Sequence, residues 1–239
     1  MNLLDLTLPT PEENLACDEA LLDWCETESD SDVLRIWEPQ EPFVVLGYAN
    51  KVQVEIDAEA CRRRGLPILR RCTGGGAVLQ GPGCLNYSLL LNFERQPALH
   101  TITGTNCFIM QRHQAALASV LGAPVTVRGH TDLALGERKF SGNAQRRKRR
   151  FLLFHGTFLL GLDTDLMEEV LRSPSRQPDY RRHRSHARFV TQINATPEAI
   201  KAALRNAWDA IEAPPAFPLS LLPPLVEGKY SREEWNWKW

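Results

Sequence analysis

The chain has 239 residues, of which 43% are hydrophobic, and its formal net charge is −1 at pH 7. This length and apolar content allow a substantial buried core in one domain, or in one domain with appendages. The near balance of charge gives no general reason to expect a nucleic-acid-binding protein, because such domains usually carry a basic excess.

The six cysteines show no CxxC pair and no zinc-ligand spacing. We therefore expect free thiols in a reducing compartment, with no disulfide and no structural metal. The N-terminus lacks a basic leader region, and no stretch approaches eighteen uninterrupted apolar residues. These features predict a cytoplasmic protein without membrane association.

The first half of the chain alternates strands with short helices. Thr10 precedes proline and glutamate in a pattern typical of a capping box, which predicts a helix from there to about Cys25. Asp57 is placed to cap a short helix that ends before Gly65. Turn residues and apolar runs predict strands over residues 33–37, 43–47, 66–71, 77–80 and 85–92.

The second half begins with the best helix candidate, residues 106–121. Further elements are predicted as strands over 125–128, 133–135, 138–145 and 151–160, and as helices over 164–171 and 197–211. Runs of strands interrupted by separated helices indicate the α+β class. The tail from 213 is rich in proline, and its alternating Trp235, Trp237 and Trp239 suit an edge strand or a partner-docking stretch.

The run Arg70-Arg71-Cys72-Thr73-Gly74-Gly75-Gly76-Ala77-Val78 is the most informative segment. Glycine lets main-chain N–H groups approach a carboxylate or phosphate, and arginine adds a fork of donors. A P-loop or a dinucleotide fingerprint needs a helix directly after its glycines, whereas here a strand is predicted. The alternative is a plain glycine-rich hairpin with solvated arginines.

Two later segments follow this run in order, GERKFSGNAQRR over 136–147 and FHGTFLL over 154–160. Together the three blocks resemble the catalytic domain of lipoate-protein ligases, which belong with biotin protein ligases and octanoyltransferases. The likeness extends from the first helix to about Ile193. It implies a mixed, largely antiparallel β-sheet with flanking helices, of the class II synthetase and biotin-ligase type.

The resemblance implies an enzyme that activates lipoate with ATP and Mg²⁺ to lipoyl-AMP. The lipoyl group would then pass to a lysine of a lipoyl-domain acceptor, such as the E2 subunit of a 2-oxoacid dehydrogenase or the glycine cleavage H protein. Residues 1–212 would form the catalytic domain and 213–239 a tail, with no large C-terminal accessory domain. A separate accessory subunit, a compact variant or transfer from preformed lipoyl-AMP therefore all stay open.

The resemblance also assigns site residues. Lys139 matches the catalytic lysine of the K-x-SG-x-A motif, Arg70 the arginine beside the glycine loop, and Asp132 an acidic residue near the nucleotide or its magnesium. The alternative to a functional role is a solvated strand residue for Lys139 and a hydrogen-bonded core residue for His155. The other matching substrate or adenylate positions are Gly74, Gly75, Gly76, Ala77, Ser141, Gly142, Ala144, His155, Gly156 and Thr157.

Cysteine placement separates two enzyme hypotheses. Octanoyltransferases of this superfamily carry the acyl group on a cysteine thiolate, which lies after the HGT strand in one branch and before the KxSG strand in another. Residues 162–194 and 125–138 contain no cysteine, which favours the ligase. Cys72 and Cys84 flank the glycine loop and leave a rearranged transferase open. A noncatalytic subunit that binds an acyl adenylate is a third hypothesis.

Two basic runs remain, at residues 146–150 and 181–184. Each is either a solvated loop or a positive patch that docks an acidic lipoyl-bearing protein. Nucleic-acid binding is not expected, because aromatic residues are not interleaved with the charges.

Overall fold

The computed structural model describes residues 1–211 and 217–239. Ten strands are present in this part of the chain: β1 (Asn2–Asp5), β2 (Val33–Trp37), β3 (Phe43–Leu46), β4 (Ile68–Arg70), β5 (Val78–Gln80), β6 (Cys84–Asn92), β7 (Thr126–Arg128), β8 (Asp132–Leu135), β9 (Arg138–Arg147) and β10 (Phe151–Leu159). Seven of them form one sheet in the order β1-β2-β6-β10-β9-β8-β7, and three form a second sheet in the order β4-β3-β5.

The helices lie between and around these strands. They are α1 (Pro11–Thr27), α2 (Val52–Glu55), α3 (Ala58–Arg63), α4 (Ile102–Leu121), α5 (Thr164–Val170), α6 (His186–Phe189), α7 (Pro197–Ala207), α8 (Leu222–Leu225) and α9 (Glu233–Asn236). Short 3₁₀ segments cover Pro97–Leu99, Asp179–Arg181 and Leu219–Leu221, and a π-helical turn covers Val226–Tyr230.

Strand pairing is mixed but mostly antiparallel. Only β1 with β2 and β3 with β4 pair in parallel among the described strands. The other pairs in both sheets are antiparallel. The predicted α+β class with a mixed, largely antiparallel sheet and flanking helices is therefore confirmed.

Side-chain caps determine where the main helices begin. Thr10 Oγ1 accepts from the Glu13 N–H while the Glu13 carboxylate accepts from the Thr10 N–H, so the predicted capping box starts α1. Helix α4 begins at Ile102, four residues before the predicted start. The cause is Thr101, whose hydroxyl accepts from the Gly104 N–H and supplies a cap.

Both faces of the large sheet are covered by helices. Leu34 and Ile36 of β2 belong to a core that includes residues of α4 and α7, whereas Val33 belongs to a core with α1. This alternation follows from the two-residue period of a strand. The small sheet packs Val44 and Leu46 against α2, α3 and α5. The large sheet is thus buried on both sides, and the functional cleft lies where the two sheets meet.

The C-terminal segment 217–239 packs back on the main body of the chain. Trp235 lies in the helical turn α9, so the edge-strand alternative for the tryptophan repeat is wrong. The predicted boundary between 1–212 and 213–239 falls outside the described residues and stays a prediction. Within residues 1–211 and 217–239, no helix has the length and apolar character needed to cross a membrane.

Candidate active site

The glycine run forms the turn between β4 and β5 and lies over the middle of β9 and β10, where Gly75 is close to Ala144 and Thr73 contacts His155. Gly75 has φ +90°, a region where glycine is strongly favoured over residues with a Cβ. Two adjoining cavities open beneath this turn, an inner one of about 120 Å³ and an outer one of about 960 Å³. Both are lined by Gly75, Gly76, Lys139 and Gly142, so they form one cleft. We call the place where the two cavities meet, beside the glycine loop and Lys139, the joint.

The inner cavity has an apolar wall. This wall is contributed by Leu15, Trp37, Val45, Val78 and Tyr87. A mostly apolar pocket with a few convergent polar groups is the usual form of a small-molecule site. The apolar part of this lining suits an acyl chain.

Lys139 lies at the joint and is not a free surface residue. Its Nζ is 2.7 Å from Asp132 Oδ1, and the Tyr180 hydroxyl donates to Asp132 Oδ2 at 2.8 Å. A Cβ on Gly142 would approach Lys139 Nζ to 2.6 Å, so the glycine makes room for the ammonium. Burial, followed by the charge of Asp132, raises the pKa of Tyr180 and keeps its hydroxyl a donor.

Asp132 was expected beside a magnesium ion, and in the structure both of its carboxylate oxygens have side-chain partners. Its two oxygens accept from the Lys139 ammonium and the Tyr180 hydroxyl. Within the described part of the chain, no group of three His, Cys, Asp or Glu side chains is arranged to hold a metal. Mg²⁺ is commonly bound by one or two carboxylates together with substrate phosphates and waters, so a magnesium ion beside Asp132 stays a prediction.

His155 joins the glycine loop to the main sheet. Its Nε2 is 2.7 Å from Thr73 Oγ1, and its Nδ1 is 3.1 Å from Asp18 Oδ2. Burial alone would raise the pKa of Asp18, but the Arg35 guanidinium and the His155 hydrogen bond lower it overall. Because Asp18 is a carboxylate, we assign the proton to Nδ1, and Nε2 then accepts from Thr73. Thr73 is thereby held where the glycine loop begins.

The two arginines of the glycine run have different surroundings. Arg70 is fully buried and donates to the carbonyls of Gly47, Tyr48, Asn50, Trp235 and Asn236. It lines neither cavity, so its donors hold the C-terminal segment and not a substrate. Arg71 lines the inner cavity.

Arg71 itself supports the loop. Its guanidinium donates to the Gly74 and Gly76 carbonyls and to the Thr73 hydroxyl, and burial lowers its pKa to about 10. Arg70 was assigned because it matches the family's arginine beside the glycine loop. Neighbouring strand residues point to opposite faces, and that match did not show which of the two arginines faces the cleft.

Most of the remaining predicted residues are brought together at the cleft. Those that line one or both cavities are Gly75, Gly76, Ala77, Asp132, Lys139, Gly142, Ala144, His155, Gly156 and Thr157. Gly74 and Ser141, like Arg70, do not line them, and Ser141 is buried. Substrate binding by these residues stays a prediction.

Several cleft residues were not predicted. They are Asp18, Arg71, Gln80, Asn143, Tyr180 and Arg181, all of which line the cleft. Asn143 is fixed by the Tyr87 hydroxyl, which donates to its Oδ1 at 2.6 Å. Arg71 belongs to the arginine-glycine run and Asn143 to the SGNA motif, so both carried a sequence signal, whereas Asp18 lies far from these motif blocks in sequence and carried none.

No cysteine lines either cavity among the described residues. Cys72 and Cys84 are buried, and burial raises their pKa to about 11 and about 12. Cys107 is exposed on α4. Since a nucleophilic thiol needs a lowered pKa and access to substrate, none of these three thiols has the surroundings of an acyl carrier.

The first basic run is paired with acidic residues. Arg146 Nη1 is 2.9 Å from Glu19 Oε1, Lys148 pairs with Asp23, and Arg150 pairs with Asp30. These contacts hold the β9–β10 hairpin on α1 and the loop after it. Three of the five basic residues in the run at 146–150 are therefore paired with carboxylates.

Residues 10–206 match the family model described as the lipoyl protein ligase A/B catalytic domain. The fold and the cleft agree with that class of acyl-transferring enzymes, and the chain belongs to this family. It is 30% identical to octanoyltransferase LipM of Geobacillus kaustophilus, over 95% of the chain and 94% of the relative. It is 26% identical to LipM of Bacillus subtilis, over 96% and 95%.

Solved structures share the fold. A bipartite lipoate protein ligase from Thermoplasma acidophilum, solved with its E2 lipoyl domain, matches with a TM-score of 0.82 and 25% identity, covering 99% of this chain and 95% of that one. Lipoate-protein ligase A bound with ATP matches with a TM-score of 0.82 and 26% identity, covering 99% and 98%. A biotin protein ligase from Aquifex aeolicus, at 12% identity, shares the fold alone, with a TM-score of 0.50 and coverage of 95% and 72%.

These relatives correct the functional expectation. Both curated relatives named above are octanoyltransferases, as is a third from Moorella thermoacetica at 32% identity over 83% of the chain and 78% of the relative. The prediction of an ATP-dependent lipoate ligase is therefore wrong. The absence of cysteine from residues 125–138 and 162–194 had been taken as evidence for a ligase and against a transferase, and that inference was wrong.

Proposed function

We propose that the chain transfers an octanoyl group from a carrier-protein thioester to a lysine of a lipoyl-domain acceptor. The acceptor would be an E2 subunit of a 2-oxoacid dehydrogenase, a glycine cleavage H protein or a similar protein. One observation carries the proposal: Lys139 lies beside the glycine loop where the two adjoining cavities meet, in a chain whose curated relatives named above are octanoyltransferases.

Different parts of the donor bind at different places in the cleft. The acyl tail occupies the inner cavity along its apolar wall, and the thioester carbonyl comes to the joint beside Lys139. The Lys139 ammonium and the N–H groups of Gly75 and Gly76 then act on the carbonyl oxygen. Such donors, fixed before reaction, stabilise the negative charge that develops on this oxygen.

Transfer proceeds directly between donor and acceptor. The neutral amine of the acceptor lysine attacks the thioester carbonyl, a C–N bond forms, and the C–S bond breaks. The proton lost by the amine ends on the departing thiol, and the products are an amide and the free carrier thiol. An acyl-enzyme on cysteine is not invoked, because no cysteine lines the cleft in the described part of the chain.

The test is acylation of a purified lipoyl domain, followed by intact mass. Octanoyl carrier protein is the donor, and we expect the acceptor to gain one octanoyl group while the enzyme mass stays unchanged. Lys139→Met should lower the rate at least about 100-fold, since it removes the charge at the carbonyl. Lys148→Met, in the β9–β10 turn, is the control and should behave as the wild type.

Two results would contradict the proposal. One is acceptor modification only from lipoyl-AMP, or only from lipoate with ATP. The other is an octanoyl adduct on the enzyme itself that passes to the acceptor, which would replace direct transfer by a covalent route.

A further inference from the structure

The outer cavity has more positive than negative side chains on its wall. Its basic residues beyond Lys139 are His130, Arg172, Arg176, Arg181 and His186. Its carboxylates are Glu55, Asp132 and Asp179. Of these, Asp132 is paired with Lys139, and Glu55 is buried and accepts from the Ser175 hydroxyl. Three arginines therefore line this cavity. Among the described residues, Asp179 is the one carboxylate of its wall whose side chain has no hydrogen-bond or ion-pair partner.

Arg181 is the most buried of these arginines. Its side chain is 6% exposed, its Nε donates to the Arg184 carbonyl at 3.0 Å, and its guanidinium lies 4.7 Å from the centre of the Phe189 ring. Its Nη2 is buried and has no hydrogen-bond partner among the described residues. A buried charged donor without an acceptor is costly, so this position favours the arrival of an anion.

The two other arginines keep free donors at the cavity. Arg172 uses Nη1 for the Gln53 carbonyl, at 2.8 Å. Arg176 is exposed and makes no hydrogen bond or ion pair with the described residues. Guanidinium forks match the oxygens of a phosphate group in charge and geometry. The cluster thus has the chemistry of a phosphate subsite.

We propose that the outer cavity binds the phosphate of the phosphopantetheine arm that carries the acyl thioester, with Arg181 as its anchor and Arg172 and Arg176 beside it. This inference rests on the proposed function. With the acyl tail in the inner cavity and the carbonyl at Lys139, the pantetheine arm leaves through the outer cavity. A carrier protein and coenzyme A present the same phosphate-bearing arm.

The experiment compares two donors that differ in this phosphate. Octanoyl-phosphopantetheine and octanoyl-pantetheine are each supplied with a purified lipoyl domain, and kcat/KM is measured by intact mass. We expect the wild type to prefer the phosphorylated donor by at least about 10-fold, the effect of a charge-assisted contact. Arg181→Gln should reduce that preference about 10-fold, and Arg176→Gln should reduce it by a smaller factor.

Arg188→Gln is the matched control, because Arg188 is exposed on α6 and lines neither cavity. It should keep the wild-type preference. Should Arg181→Gln fail to fold, the exposed Arg176→Gln and an Arg172→Gln, Arg176→Gln double variant carry the test. An equal loss with both donors, or no preference in the wild type, overturns the proposal.

Calorimetric binding of phosphopantetheine, pantetheine and ATP separates the subsite from the proposed function. Binding of phosphopantetheine at least about 10-fold tighter than pantetheine, lost in Arg181→Gln, supports the subsite even if no octanoyl transfer occurs. Octanoyl transfer without phosphate discrimination retains the function and removes the subsite. Tighter binding of ATP than of phosphopantetheine assigns these arginines to a nucleotide and also overturns the proposal.

Discussion

The position of the Lys139 ammonium depends on the absence of a single carbon atom. Gly142, three residues along the same strand, leaves the space in which Nζ meets Asp132. The clash that a Cβ would cause is with the end of a flexible side chain, at 2.6 Å from Nζ and 2.8 Å from Cε. The lysine would move aside, and the sheet would not have to.

Gly142→Ala should therefore damage catalysis more than stability. We expect octanoyl transfer to fall about 10- to 100-fold, because a displacement near 1 Å at a reacting centre has effects of this size. The free energy of unfolding should change by less than about 1 kcal/mol. Initial rates and urea denaturation measure the two quantities.

Gly161→Ala is the control for that variant, since its Cβ would meet only Gly83 at an ordinary 3.8 Å. Both quantities should stay close to wild type in it. Full activity in Gly142→Ala would show that Lys139 does not need its present position.

For individual residues, the sequence predicted which side chains lie at the cleft better than it predicted the partners that those side chains contact. The motif blocks identified Lys139, Gly142 and His155, because each lies in a short segment with a family pattern. Asp18 and Arg35 could not be found in this way. They lie 17 residues apart on α1 and β2 and meet only after those elements pack, with Arg35 Nη1 2.7 Å from Asp18 Oδ1.

At the scale of elements, the glycine loop is held at its first residue. Thr73 donates to His155 and accepts from Arg71 Nε at 3.1 Å. His155 belongs to β10 and Asp18 to α1, so one hydrogen-bond chain joins a loop, a strand and a helix. The loop that covers the inner cavity is therefore positioned by polar contacts as well as by its backbone.

Thr73→Val tests this anchor because it replaces the hydroxyl with a methyl group of similar size. We expect a loss of about 1–2 kcal/mol in the free energy of unfolding, the usual cost of unpaired buried groups. The KM for the octanoyl donor should rise about 10-fold, since the loop is less well ordered before binding. Urea denaturation and steady-state kinetics are the measurements.

Thr73→Ser keeps the hydroxyl, so its free energy of unfolding and its KM for the octanoyl donor should both be close to those of the wild type. If Thr73→Ser behaves like Thr73→Val, the methyl packing matters and the hydrogen bond to His155 does not.

Helix α4 carries a buried histidine that makes stability depend on pH. His113 Nε2 accepts from Trp208 Nε1 at 2.9 Å, next to α7. Burial, with a smaller effect of Arg112, lowers the pKa of His113 from 6.5 to about 3. Between these values the unfolded chain binds a proton that the folded chain does not, so stability must fall as the pH falls.

We expect the free energy of unfolding to decrease between about pH 6.5 and 4.5 by up to about 1.4 kcal/mol per pH unit from this group. His186, whose pKa burial also lowers, adds to the same slope. His113→Gln should remove only the His113 share. Urea denaturation at several pH values measures the slope, and an unchanged slope in the variant would contradict the assignment.

Most element boundaries followed from local signals, and the differences have local causes. The capping box of α1 and the Asp57 cap of α3 were readable because the cap and the helix are adjacent in sequence. The strand β1 was missed because it is 4 residues long and pairs in parallel with β2, a contact that depends on a distant part of the chain.

At the scale of the whole molecule, the C-terminal segment completes the core around Arg70. Asn236 Oδ1 accepts from the Arg70 N–H, and the Trp235 and Asn236 carbonyls accept from its guanidinium. Trp235 Nε1 in turn donates to the Arg70 carbonyl at 2.8 Å. A buried arginine thus depends on acceptors that lie 165 and 166 residues further along the chain.

Deletion of residues 231–239 should therefore destabilise the fold by about 3 kcal/mol or more, because it leaves Arg70 buried with fewer acceptors. For a chain of this size the melting temperature should fall by roughly 6–12 °C. Differential scanning calorimetry gives this value directly.

Removal of Trp239 alone is the control deletion. It loses two hydrogen bonds, an exposed one from Trp239 Nε1 to the Tyr48 carbonyl and a long one of 3.4 Å from the Val52 N–H to the Trp239 carbonyl, and should cost about 1 kcal/mol. Equal melting temperatures for the two deletions would show that the Arg70 contacts contribute little.

The distribution of the six thiols gives the folded chain a simple reporter. Five cysteines are buried, and Cys107 alone is exposed on α4. An alkylating reagent should therefore label one site rapidly and reach the other five only as the chain opens. A fluorophore placed at Cys107 would mark a helix outside the cleft, and the count of labelled thiols would give the unfolded fraction in any of the variants described above.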